Sequence, residues 1–169
     1  MSLALVNHRD ARALLLDDRL VVLALRTIGQ GVAAEIGEVA ALNRHGQVLL
    51  HTRIRPTRPC PSERTLPPLE VVWPTVAALL VNRIVASFHV ADDRRMLRQT
   101  ARRLGATLMY TEWRGVGTVS RRCTRQTHQI HPPCIALSEA RTTLAVLRGL
   151  ATPLTHDTPP PRIFWRYLR

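Results

Sequence analysis

Between Leu20 and Leu25 every position is apolar, and Arg26-Thr27-Ile28-Gly29 closes the run. A short block of branched side chains bounded by a turn signal predicts a buried strand. Two further extended runs, Glu35 to Asn43 and Val48 to Arg55, flank Arg44-His45-Gly46-Gln47, the polar turn of a hairpin. Ahead of them, residues 8–18 alternate charged and apolar side chains at helical spacing and predict a short lead-in helix. Pro56 stops the third strand, and Pro59, Pro61, Pro67 and Pro68 punctuate the connection that follows.

From Leu69 to Leu80 the residues Val72, Trp73, Val76, Ala77 and Leu80 form one apolar stripe, which predicts a helix with Pro74 near enough to its start to be tolerated. Ile84 to Phe88 predicts a short buried strand. Asp92 and Asp93 then open a helix, where acidic groups favour the positive end of the dipole. Its inner face is Leu97, Thr100, Ala101 and Leu104, and Arg94, Arg95, Arg98 and Arg102 fall in one outward arc of roughly 100°. Gly105 ends that helix, Thr107 to Tyr110 reads as a strand, and Arg114 to Pro133 has no period and reads as loop. A last helix spans Ile135 to Leu150. The sum is an α/β fold with a mixed five-stranded sheet flanked by helices. It divides into a domain over residues 1–150, a Pro-rich linker over 151–161 and a basic aromatic tail over 162–169.

Charge changes this picture. All 24 basic side chains are arginine, against 12 acidic ones, a formal net charge of +12. Arginine-only usage fits a codon bias. It also supplies planar guanidinium groups that pair bidentately with phosphate. A balance so basic predicts attraction to nucleic acid or to an acidic surface. The arginine arc on the helix that Asp92 and Asp93 open, together with Arg121, Arg122 and Arg125, is the candidate contact; its bland reading is a solvated face. No leader-like segment is evident, and the apolar stretch from Val71 to Ala86 is broken by Pro74, Asn82 and Arg83. A cytoplasmic protein without a membrane partner is therefore expected.

Three cysteines, an odd number, argue against a disulfide framework. Cys123, His128, His131 and Cys134 form Cys-x4-His-x2-His-x2-Cys, which could close a tetrahedral zinc site, although the spacing is not a common one. In the tail, Phe164, Trp165 and Tyr167 are three of the chain's seven aromatic residues. They suit a docking peptide for a larger nucleoprotein complex, a base-stacking element, or a tail folded over its own core.

Three stretches, in order, carry a resemblance. Val22-Leu23-Ala24-Leu25-Arg26-Thr27-Ile28-Gly29, His89-Val90-Ala91-Asp92-Asp93-Arg94-Arg95-Met96-Leu97 and Cys134-Ile135-Ala136-Leu137-Ser138-Glu139-Ala140 resemble the three motifs of the DEDDh class of 3′-to-5′ exonucleases. That class includes the proofreading epsilon subunit of bacterial DNA polymerase III and ribonuclease T. Glu38-Val39-Ala40, Gly46-Gln47-Val48-Leu49-Leu50, Arg55-Pro56, Trp73-Pro74 and Tyr110-Thr111-Glu112-Trp113 are supporting phrases, and the likeness covers roughly residues 10 to 150. It implies an RNase H-like fold. It also implies that Asp93 sits at a metal-ligand position, with His89 where the class has asparagine. Ala24 and Arg26 replace the first-strand acid pair, Cys134 replaces the general-base histidine, and Glu139 replaces an aspartate.

Two-metal phosphodiester hydrolysis needs hard oxygen ligands holding ions about 4 Å apart. Ala24 offers none, Arg26 brings a positive charge, and Cys134 is a soft substitute. The resemblance with these losses implies a catalytically inactive exonuclease-like protein, not an enzyme and with no cofactor, kept for nucleic acid or as an accessory subunit. Asp93 also reads as a helix-start acid. Arg26 is expected in the former metal pocket, paired with Asp93 or Glu139. The alternatives are an exonuclease using Mg²⁺ or Mn²⁺ in a rearranged site of Asp93, Glu139 and His89 or His131, and a protein-binding adaptor.

Overall fold

The computed structural model describes residues 6, 8–108, 111–116 and 135–152. Helix α1 (His8–Leu16) leads into β1 (Leu20–Ile28), β2 (Glu35–Asn43) and β3 (Val48–Arg53). Helix α2 (Leu69–Leu80), β4 (Ile84–Ser87), α3 (Val90–Arg103), β5 (Glu112–Gly115) and α4 (Ile135–Ala151) follow. The five strands lie in the order β3-β2-β1-β4-β5. β2 is antiparallel to both β1 and β3, and β4 and β5 continue the sheet in parallel from β1. This mixed sheet, flanked among the described residues by four helices, is the α/β arrangement that the apolar pattern predicts and is compatible with the RNase H-like fold that the resemblance implies.

Strand β1 is the centre because it is apolar on both faces. Val21, Leu23 and Leu25 pack with Val72, Trp73 and Val76 of α2 and with Met96, Leu97 and Ala101 of α3. Leu20, Val22 and Ala24 point the other way, onto Ala136, Ala140, Leu144 and Leu147 of α4 and Ala11 and Leu14 of α1. Period-2 alternation thus assigns α2 and α3 to one face and α1 and α4 to the other. Among the described residues no helix is long and apolar enough to cross a membrane.

The lead-in helix, the hairpin, α2 and α4 fall where the pattern puts them, but three details differ. Helix α3 begins at Val90, so Asp92 and Asp93 lie inside its first turns rather than ahead of it. Pro74 is the sixth residue of α2, beyond the first turn. It is exposed there, on the face turned away from the sheet.

The fifth strand is β5 at 112–115, not 107–110. Gly105 takes a left-handed φ of 61°, and the Ala106 N–H reaches back to the Ala101 carbonyl at 2.8 Å, closing the helix end. Ala106 and Leu108 pack on the core beneath α3. Pairing with β4 begins only where Glu112 meets Ile84. An edge strand is defined by its backbone partner, so the mixed Glu-Trp-Arg-Gly composition reads as loop in sequence.

Candidate active site

Ala24 and Arg26 lie on the α4 side of the sheet, at the carboxyl half of β1. Ala24 is buried opposite Ala40, so this pair presents no polar atom to the site. Arg26 stands opposite Glu38, and there the register shifts so that Thr27 pairs with Ile36 and Gly37 is the extra residue of a bulge.

One strand away, β4 ends at Ser87, and its neighbourhood is built by short local bonds. The Ser87 hydroxyl donates to the Asp93 carboxylate, and Ser87 Oγ accepts the His89 N–H at 3.1 Å. The Asp93 N–H bonds the His89 carbonyl at 2.9 Å. Asp93 is only 4% exposed. Burial raises its pKa well above the ordinary carboxyl value; the Ser87 hydroxyl opposes that, and the negative charges of Glu139 and Asp92 add to it.

Glu139 reaches the same place from the opposite face of the sheet, on the second turn of α4. Burial raises its pKa as well, and His89 draws it back down. The two face each other with His89 Nε2 3.7 Å from Glu139 Oε1, and their side chains are 44% and 27% exposed. The solvent-reaching groups are therefore His89 and Glu139, with Asp93 behind them. The His89 ring also meets Phe88 edge to face, with centroids 5.2 Å apart.

Arg26 does not join this group, contrary to expectation: among the described residues it forms no ion pair with Asp93 or Glu139. Its charge falls on Glu63 instead. Hydrogen bonds from Cys60 hold the Glu63 carboxyl below the ordinary range, with Arg53 and then Arg26 adding smaller pulls. Arg53 Nη2 lies 3.7 Å from Glu63 Oε1. The sheet register shifts just after Arg26, which is still paired with Glu38 near the end of β1.

Sequence reasoning missed Glu38 and His51. Glu38 is 1% exposed on β2, on the face it shares with Ala24, and its carboxylate accepts from His51 Nε2 at 2.9 Å. Its second oxygen, Oε2, is buried without a hydrogen-bond partner. The signal in the chain is a carboxylate at an inward position of an otherwise apolar strand, which is costly unless paired. In sequence Glu38 stands out only as part of the phrase Glu38-Val39-Ala40.

The arginine arc is an outward face. Arg95, Arg98 and Arg102 are exposed and Arg94 is half-buried, and all four line a groove of ≈ 610 Å³ with Arg103, Gln99 and Val32. Arg121, Arg122 and Arg125, the quartet Cys123, His128, His131 and Cys134, and the tail residues Phe164, Trp165 and Tyr167 lie outside the described residues.

The donor set can be tested against the paired-cation centre that the resemblance implies. Ala24 and Arg26 supply no ligand, and among the described residues no three His, Cys, Asp or Glu side chains are grouped to hold a metal ion. These residues do not fit a two-metal cluster. What they do form is an acid–base group, two carboxyls with raised pKa values and one imidazole.

The chain is similar to a protein of Escherichia phage 186 named "Uncharacterized exonuclease CP81", 27% identical over 140 residues that cover 66% of this chain and 71% of the phage protein. No protein-family model matches the chain. The chain is thus exonuclease-like. This likeness also corrects the expectation that it is not an enzyme, because the relative is named as one. That expectation equated loss of the first-strand acids with loss of chemistry, whereas His89, Asp93 and Glu139 are set by β4, α3 and α4 and do not depend on β1 for a carboxylate.

Proposed function

We propose that the chain is an exonuclease of the DEDDh kind that acts on the 3′ ends of nucleic acid from a rearranged site made of His89, Glu139 and Asp93. The observation that carries this reading is the meeting of His89, at the start of α3, with Glu139, from the helix on the other face of the sheet, at 3.7 Å beside the buried Asp93. Acidic residues brought together at a cost to their ionisation are the mark of a site selected for chemistry rather than stability.

In this reading the exposed His89–Glu139 pair takes the proton from the attacking water, whose oxygen bonds to the scissile phosphorus as the P–O bond to the 3′ oxygen of the preceding nucleotide breaks, and the pair returns the proton to that leaving oxygen. A carboxylate near an imidazole can stabilise the imidazolium that results. Asp93, nearly all buried, is a positioning residue: through Ser87 and the backbone of His89 it fixes the turn that presents the imidazole.

The test uses 5′-labelled single-stranded DNA and RNA, incubated with Mg²⁺, with Mn²⁺ and with a chelator. Progressive shortening by the wild-type protein and a loss of about 100-fold in Glu139→Gln are expected. No shortening under any condition, or equal shortening by Glu139→Gln, overturns the reading. The chelator arm decides whether a divalent cation takes part.

A further inference from the structure

The groove on the outer side of α3 has a composition that stability alone does not explain. Five of its eight lining residues are arginine and none is acidic. Arg94, Arg98 and Arg102 are successive at i, i+4 and i+8, and like charges at that spacing weaken a helix. Asp92 relieves only Arg95, at 3.3 Å. Among the described residues Arg94, Arg98 and Arg102 have no ion-pair or hydrogen-bond partner.

The opposite wall is held in place by different residues. The short 3-10 turn Gly31–Ala33 between β1 and β2 is tied to α3 by Gln99, whose amide donates to the Val32 carbonyl at 2.8 Å and the Ala34 carbonyl at 3.2 Å. Arg103 donates to the same two carbonyls. These bonds present Val32, 88% exposed, at the rim beside the arginines. Gln99 and Arg103 thus build the wall, and Arg94, Arg98 and Arg102 take no part in it.

We infer that this groove is a track for the phosphate backbone of a single nucleic-acid strand, with Arg94, Arg98 and Arg102 each taking one phosphate and Val32 offering an apolar contact to a base. The steps of the row, about 6 Å along the helix axis, are commensurate with successive phosphates of an extended strand. Guanidinium groups are the side chains best shaped for that anion. The row ends at the first turns of α3, the same turns that hold Asp93. A strand in the groove is therefore led toward the acidic site. The inference rests on the nucleic-acid reading of that site but not on its catalytic part.

Binding of fluorescent oligothymidylate and oligouridylate to the full chain, followed by anisotropy across a salt series with chelator present, tests the groove apart from hydrolysis. The triple variant Arg94→Gln, Arg98→Gln, Arg102→Gln is expected to flatten the dependence of log Kd on log salt by about 2, at about 0.7 for each phosphate no longer neutralised. Arg12→Gln, on the other side of the sheet, and Glu139→Gln are expected to keep the wild-type slope. A triple variant with wild-type slope and unchanged thermal unfolding overturns the inference. So does polyglutamate competing as well as the oligonucleotides, which would make the groove a surface for acidic protein. Loss of shortening with a groove-dependent slope refutes the catalytic reading alone; shortening with an unaltered slope refutes the groove alone.

Discussion

Ser87 and Asp93 are joined by a hydrogen bond from the serine hydroxyl to the carboxylate, and both residues are almost completely buried. That bond favours the ionised form of Asp93, yet burial outweighs it and the carboxyl remains raised. The unfolded chain has no such burial and titrates near the ordinary value of 3.8. Between that pH and the folded value the native state holds more protons than the unfolded state. Stability therefore falls as pH rises through this window. Glu139, also raised by burial, acts in the same direction. Asp93→Asn removes the larger contribution. Urea unfolding of the variant is expected to show a flatter fall in stability from pH 4 upward and a gain over wild type near neutrality. An unchanged pH profile would falsify this account.

Ser87→Ala deletes the one partner that offsets the burial of Asp93. The expected loss is about 1–3 kcal/mol, the cost of leaving a buried polar group unsatisfied. It should be larger at pH 8 than at pH 4, because only the ionised carboxylate feels the full loss. Equal losses at both values, measured by denaturant midpoints, count against the ionisation argument.

For His89 the expected signature is kinetic. Its ring, when protonated, draws the Glu139 pKa down against burial. His89→Ala is expected to move the acidic limb of the rate profile for 3′ shortening to higher pH, besides lowering the rate. Glu139→Gln is expected to abolish that limb. A rate that drops with no displacement of the limb assigns His89 a purely steric part.

Much of this architecture was legible in the chain. The apolar block at Leu20–Leu25, the hairpin turn at 44–47 and the stripes of α2 and α4 are period signals, and tertiary structure respects them. Asp93 was legible as an acid of the first turns of α3 and Glu139 as a residue of α4, but not the imidazole of His89 lying between the two elements. The strand β5 was not, because its definition lies in hydrogen bonds to β4 and not in its own side chains. Nor was the register shift after Arg26, where Gly37 of another strand is the extra residue. Glu38 and His51 are thirteen residues apart and meet only after the β2–β3 register is set.

The Glu38–His51 pair separates breaking from replacing. His51→Ala leaves a carboxylate 1% exposed with neither oxygen bonded, and a loss of about 3–5 kcal/mol is expected. The joint replacement Glu38→Met with His51→Leu removes both polar groups and is expected to unfold within about 1 kcal/mol of wild type or later. If the joint variant is as unstable as the single one, the pair stabilises by more than its own mutual contact.

The central strand offers the sharpest test of how the site departs from a metal cluster. Ala24 and Arg26 stand where the resemblance would put an acid pair, on the strand next to β4, whose end leads into the turn of His89 and Asp93. Ala24→Asp with Arg26→Glu would bring four carboxylates to one region and remove the guanidinium charge. Without metal the double variant is expected to lose stability, since Ala24 is 1% exposed and a carboxylate there has only apolar Ala40 opposite. Mn²⁺ should restore that loss by mass action, raising Tm with concentration, while leaving wild-type Tm unmoved. A Tm that ignores Mn²⁺ in the double variant would mean that the frame no longer holds Asp93 and Glu139 where two hard cations can use them.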